Sequence, residues 1–305
     1  MRTRVVLLSA VCVSSLVGAH AGPALAQGLL DPYAGGVVQY VPGEGVAPGF
    51  DDPVSALGEP TRFTGVGAFP GAVTPFNPPY LPGEVVSVGS GGSLTLRLGT
   101  PAVDAATNPF GIDLIIFHNG GYIDAAFPAG VVGGTFFDGG TVEVSADGVE
   151  FFVVPGVAAE DHFPTLGYLD LPGPFVQEPG LVPSDFRRPV DPALNPLGLG
   201  FDALVAAYNG SGGGTGIDIA RVGLAEVRYV RISAGAGQKA DIDAIAVVRP
   251  ACEADIDGNG VLDVFDFIAF QNLFVAGDGR ADCDGDGVLG LFDFLCLLNR
   301  FTEGC

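Results

Sequence analysis

The chain has 305 residues, 48% of them hydrophobic, with 48 Gly, 24 Pro, no Trp and a formal net charge of −22. So strong a negative field repels nucleic acid and anionic lipid, and it draws divalent cations. The apolar content is enough for one substantial core plus a small module, and the turn-rich composition favours many short strands over long helices.

Residues 1–26 read as a secretory signal peptide. Arg2 and Arg4 form the charged start, Val5 to Val17 the apolar run, and Ala24-Leu25-Ala26 a small-x-small cleavage site before Gln27. That run is too short to span a bilayer, and no later segment is long enough either. The mature protein is therefore expected to be exported, extracellular or at the cell surface, without a membrane span.

From Gln27 to about Arg249 the patterns are β. Val85 to Gly89 and Ser93 to Leu98 come first, the latter alternating leucines with polar groups. Asp113 to His118 is a continuous apolar run, as expected of a strand covered on both faces. Thr141–Ser145 and Phe151–Val154 flank an Asp147-Gly148 turn, a hairpin signal. Glu226–Ala234 and Asp241–Val248 complete the strands. Asp202–Tyr208 and Ile217–Val222 read as short helical turns. The stretch from about Ala158 to Gly216 is rich in Pro and ends in a glycine run. It reads as long loops inserted between two strands, and loops of that length are functional or mobile.

In order, Tyr33–Pro60, the Val142–Gly148 run VEVSADG and the Gly223–Ile232 run GLAEVRYVRI resemble the domain of exported bacterial cell surface proteins. That domain is in turn similar to the discoidin or galactose-binding jelly roll. Where the family often has Trp after the Asp-Gly turn, this chain has Phe151 and Phe152. Discoidin-like folds often staple their ends with a cation. The resemblance thus implies a third calcium site at Asp51, Asp52, Asp241 and Asp243.

Catalytic signatures are absent from the sequence: it has no Gly-x-Ser-x-Gly elbow, no His-Glu-x-x-His helix and no phosphate-binding glycine loop. Beyond the leader the histidines are His118 and His162, and His118 ends a buried-looking strand. The acidic pairs Glu160–Asp161 and Asp51–Glu59 are what a polysaccharide hydrolase would draw on. A carbohydrate-binding module would instead need aromatics grouped on one face, from Tyr122, Tyr168, Tyr208 or Phe residues of the long loops.

The last stretch carries the sharpest signal. Two twelve-residue loops begin at Asp255 and Asp282, an offset of 27 positions. The first places Asp255, Asp257, Asn259, Asp263 and Asp266 at positions 1, 3, 5, 9 and 12. The second places Asp282, Asp284, Asp286 and Asp293 at positions 1, 3, 5 and 12, with Gly290 at position 9. Gly260 and Gly287 allow the sharp turn at position 6, and Val261 and Val288 offer their carbonyls at position 7. This oxygen-only spacing suits Ca²⁺, one ion per loop. Both loops close with Asp rather than Glu, and breakers precede each of them, so each repeat is a loop plus its exiting helix. Phe-Asp-Phe follows in both copies, and the chain ends in Gly-Cys.

Residues 251–305 therefore resemble a type I dockerin, in particular the GC-type dockerin of exported planctomycete proteins. The offset maps Cys283 and Cys296 onto Ile256 and Ala269, a pair expected to touch, which favours a Cys283–Cys296 disulfide. A pseudo-twofold between the halves brings Cys252 next to Cys305 and favours a second one. The resemblance implies a cohesin-like partner or another surface receptor. Where type I dockerins commonly carry Ser-Thr before position 12, this chain has Val264-Phe265 and Leu291-Phe292, which points away from a standard cohesin.

The expected fold is mainly β. A jelly-roll or galactose-binding-like sandwich over 27–250, with its insertion around 158–216, precedes a small all-α, calcium-binding, dockerin-like module of paired half-EF-hands at 251–305. The expected function is non-enzymatic surface display or assembly through that tail. The alternatives are a glycan-binding sandwich on the same tail and a polysaccharide hydrolase.

Overall fold

The computed structural model describes residues 31–65, 67, 69–248, 254–257, 262–278, 281–284 and 288–303. The expected leader, Cys252, Cys305, Asn259, Val261 and Asp286 lie outside the described residues. The chain is mainly β, with antiparallel sheets and three short α-helices among those residues. No helix among them is long and apolar enough to cross a membrane.

Five strands form the larger sheet: β1 (Ala34–Val41), β3 (Ser93–Val103), β10 (Glu226–Ser233), β7 (Thr141–Ser145) and β8 (Phe152–Ala158), in that spatial order. The second sheet runs β2 (Val86–Val88), β11 (Ala240–Val247), β4 (Leu114–His118), β9 (Thr215–Ile217), and β5 (Gly121–Asp124) pairs with β6 (Val132–Phe136). The two larger sheets share one core, consistent with a β-sandwich. Leu94, Leu96, Val142, Val144, Val230 and Ile232 from one sheet cluster with Val86, Leu114, Ile116, Ile242 and Ile245 from the other. Each such side chain contributes about 1.5–3 kcal/mol relative to leaving it in water.

β4 is covered on both faces, as its unbroken apolar run predicts. Leu114 and Ile116 enter the shared core, while Ile115 and Phe117 pack on the other side with Phe186, Ala244 and Ala246. The hairpin at Asp147-Gly148 also forms. Asp147 Oδ1 accepts from Val149 N and Glu150 N at 2.8 and 3.0 Å, and Gly148 takes φ 78°. A Cβ there would press on the Tyr229 ring at 3.2 Å. Beside it, Arg231 on β10 forks onto Glu143 of β7, and the Phe151 ring lies 4.0 Å under its guanidinium. Phe151 thus follows the Asp-Gly turn as a stacking partner for a cation.

Two expectations change. Ile217–Val222 is not one helical turn: Ile217 closes β9, and only Ile219–Val222 winds as a 3₁₀ turn, capped by Asp218 on Ala220 N. The 158–216 stretch, read as loops, lies between β8 and β9 and is an ordered lobe. It carries helix α1 (Phe201–Tyr208) and packs Phe163, Leu166, Leu171, Val190, Phe201, Leu204 and Tyr208 with Tyr122 and Val132. Arg62 pins it. Its Nη1 donates to Gly167 O (2.9 Å) and Ser184 O (2.8 Å), Nε and Nη2 hold Glu59, and its plane sits 3.8 Å over Phe186.

The C-terminal stretch contributes α2 (Val264–Ala276) and α3 (Leu291–Glu303) with a core of its own. Its buried apolar residues, among those described, are Ala254, Phe270, Ala281 and Leu297, two pairs at the 27-residue offset.

Candidate metal centre

The two loops repeat in space as they do in sequence. Phe267 meets Phe301 with ring centroids 4.9 Å apart, and Phe294 meets Phe274 at the same 4.9 Å. Phe294 and Phe301 are the offset equivalents of Phe267 and Phe274, so the contact pattern is the exchange that a twofold demands. Within the second copy, Cys283 and Cys296 form a disulfide between the loop and its exit helix, as their spacing predicts. In the first copy Ile256 packs into the same core as Cys283 does in the second.

Each loop gathers three carboxylates. Asp255, Asp257 and Asp266 each place an oxygen within 4.8 Å of the others, and so do Asp282, Asp284 and Asp293. A 4.8 Å span equals about two Ca–O bonds of 2.3–2.6 Å laid end to end. At that distance each pair of like charges repels by about 1 kcal/mol in bulk water and several-fold more at a protein surface. A hard cation relieves this. The donor set is of the kind Ca²⁺ takes: every candidate donor is an oxygen, the position-12 Asp266 and Asp293 are buried, and Asp257 and Asp284 are exposed.

The position-12 carboxylates also organise backbone. Asp266 accepts from Asp257 N (3.3 Å) and Asp263 N (2.9 Å), and Asp293 from Cys283 N (2.8 Å) and Gly290 N (2.6 Å). Those N–H donors, Gly290 first, hold the Asp293 carboxyl below the usual carboxylate range. Asp263, expected as a ligand, is also the N-cap of α2: its Oδ1 accepts from Phe265 N at 2.7 Å, completing a capping box with Asp266. Gly290 holds the same place before α3 and has no side chain to offer. Val288 is exposed, and Asp286, Asn259 and Val261 lie outside the described residues.

Of the carboxylates proposed for a third site, the four do not come together in one group. Among the described residues, no three-carboxylate group includes Asp51, Asp52 or Asp243. Asp52 caps a 3₁₀ turn at Val54 N (3.0 Å), and buried Asp243 accepts from Thr61 N and Oγ1, both at 2.9 Å. Asp241 instead joins Asp138 and Glu160. That cluster already holds a cation: Nζ of Lys239, the one lysine of the chain, lies 2.6 Å from Asp241 and 3.8 Å from Asp138. Burial pushes the Glu160 carboxyl up to about 8. Sequence reading missed this group because its members are far apart in the chain and no motif links them.

The candidate catalytic groups are tied into structure. Glu160 is buried and Glu59 is held by Arg62 at 2.6 Å, so neither acid pair offers two free carboxyls. His118 is fully buried: Nε2–H donates to Asp161 O at 3.3 Å, Nδ1 accepts from Gly120 N at 3.0 Å, and burial pushes its pKa down to about 4. Tyr122 and Tyr208 are buried too, so neither serves as a platform for a glycan.

The exposed face of α2 and α3 is apolar and duplicated. Val264, Phe265 and Ile268 stand on one helix and their equivalents Leu291, Phe292 and Leu295 on the other, with Phe265 59% and Phe292 68% exposed. No protein-family model, curated protein or solved structure matches the chain.

Proposed function

We propose that residues 251–305 are a calcium-folded, dockerin-like interaction module, and that it attaches an exported, jelly-roll-like β-sandwich to a surface receptor. One observation supports this above the rest: each carboxylate trio is completed by a helix residue, Asp266 or Asp293, that directly follows the exposed Phe265 or Phe292 in the chain. Ion binding to the folded loops becomes folding energy for a core of four buried side chains. The ion also fixes the first turn of each helix, where the apolar pair is carried. Large exposed apolar residues beside a small core are the mark of an interaction surface. Val-Phe and Leu-Phe, in place of Ser-Thr, fit a receptor with an apolar contact surface.

The test is capture. Mature protein immobilised on beads is mixed with detergent-solubilised envelope extract, with Ca²⁺ or with EGTA, and bound proteins are identified. Capture of a discrete partner only with Ca²⁺ is the expected result; identical capture in both removes calcium-dependent attachment.

A further inference from the structure

His162 is held at φ 57°, a left-handed conformation that costs a non-glycine residue free energy and persists only where its surroundings impose it. Among the described residues the other two of this kind lie at local turns: Asn209 caps α1, and Phe110 sits within a 3₁₀ turn. His162 is imposed from three strands. The Tyr122 hydroxyl (β5) donates to His162 O at 3.1 Å. Thr215 Oγ1 (β9) donates to Asp161 O at 2.7 Å and accepts from Asp161 N at 3.0 Å, and His118 (β4) reaches the same carbonyl. The product of this frame is an Asp–His dyad at the surface. Asp161 Oδ1 accepts from His162 N at 2.8 Å, and Oδ2 lies 3.2 Å from Nδ1.

The dyad borders an open cavity of about 330 Å³, and His162 also lines a second of about 250 Å³. The larger one sits near the lower end of small-molecule pockets, about 300–1,000 Å³. Its apolar wall includes Phe137 and Pro196, and its polar rim is Thr135, Asn195 and the dyad. With Nδ1–H on Asp161, the imidazole offers Nε2 as an acceptor. Asn195 Oδ1 already accepts from Leu197 N at 3.2 Å, which leaves its NH₂ as a donor. Thr135 does either. The rim is therefore a mixed donor–acceptor set around an apolar face, and its one acid is spent on its own histidine. Anionic ligands meet a chain of net charge −22, and the nearby Arg221 lines the other cavity and is paired with Asp218. A purely apolar ligand would strand the rim's polar groups.

We propose that this cavity binds one neutral sugar ring, its C–H face on Phe137 and Pro196 and its hydroxyls on His162, Asn195 and Thr135. The proposal is independent of the tail, so its test runs in EGTA. Mature protein is examined by saturation-transfer NMR and calorimetry with the methyl glycosides of glucose, galactose, mannose, xylose, fucose and N-acetylglucosamine. Methyl galacturonide is the anionic control. Expected is transfer from at least one neutral glycoside, weakened about tenfold or more in His162→Gly and in Asn195→Ala, as loss of one or two hydrogen bonds predicts. His162→Gly relieves the backbone conformation, so its Tm is expected to stay level or rise while binding falls. Asn195→Ala carries the test if His162→Gly folds poorly. Silence across the neutral panel, equal binding in both variants, or binding of the galacturonide alone overturns the proposal.

Discussion

Thr61 gives both its N–H and its hydroxyl to Asp243, yet burial still pushes that carboxyl up to about 7. The folded chain thus holds this proton more tightly than the unfolded one, whose Asp titrates near 3.8. Stability from the group is complete below about pH 4 and is lost as pH rises to about 7. Glu160, raised to about 8, acts in the same sense over a higher window. Glu143 opposes them at low pH: bonded to Arg231, it is held below its usual range and loses its contribution as pH falls through that lowered value. Tm is therefore expected to be highest near about pH 5 and to fall toward pH 8, and Asp243→Asn to flatten part of the fall. Calorimetric scans across that range check it; a Tm rising from pH 5 to pH 8 contradicts it. The sequence hid this arrangement. Asp241-Ile242-Asp243 alternates like a half-exposed strand, but all eight residues of β11 are buried, because the 158–216 lobe helps cover its second face.

Elements were legible where local spacing alone decides them. The two acidic loops, their exit helices and the Cys283–Cys296 bond follow from a repeat within about fifty residues, so chain order already encodes the geometry. β3, β4, β7, β10 and β11 announce themselves by apolar runs or alternation. β1, β5, β6 and β9 do not: Gly35-Gly36, Gly133-Gly134 and Gly216 dilute any period, and partner strands define those segments. Two predictions belong at this scale. Phe270→Ala, at a site 1% exposed, should cost the tail about 3–5 kcal/mol and abolish its calcium-induced helical signal by circular dichroism. The double variant Phe265→Ser/Phe292→Ser should shift stability by about 0.5 kcal/mol or less per site and keep both calcium sites by calorimetry, while losing receptor capture. In the same titration Asp266→Ala should remove one site and Asp293→Ala the other; two intact sites in either variant would contradict the assignment.

At the scale of the molecule, composition anticipated a β-rich body and the loop repeat a small module after it; the C-terminal residues that are described form a hydrophobic cluster of their own. Heating the mature protein with and without EGTA should lower or erase one unfolding transition and leave the other in place. A single transition displaced as a whole would show that the two parts melt together. The ordered lobe of residues 158–216 escaped sequence reading for a physical reason. A stretch of prolines and glycines has no period of 2 or 3.6, and its order comes from contacts with Tyr122, Val132 and Arg62, all distant in the chain.

Besides its apolar packing, that lobe has one charged latch. Arg62 reaches two carbonyls, a carboxylate and an aromatic face at once, which a lysine, with a single point of charge, cannot imitate. In Arg62→Lys the flap should come loose while the sheets stay closed, and trypsin should nick it after Arg187, the bond after Arg188 being protected by Pro189, well before the far-ultraviolet β signal decays. Such a cut would leave the two halves of the sandwich clasped without a covalent thread between β8 and β9, a ready-made route to a split protein that reassembles on mixing.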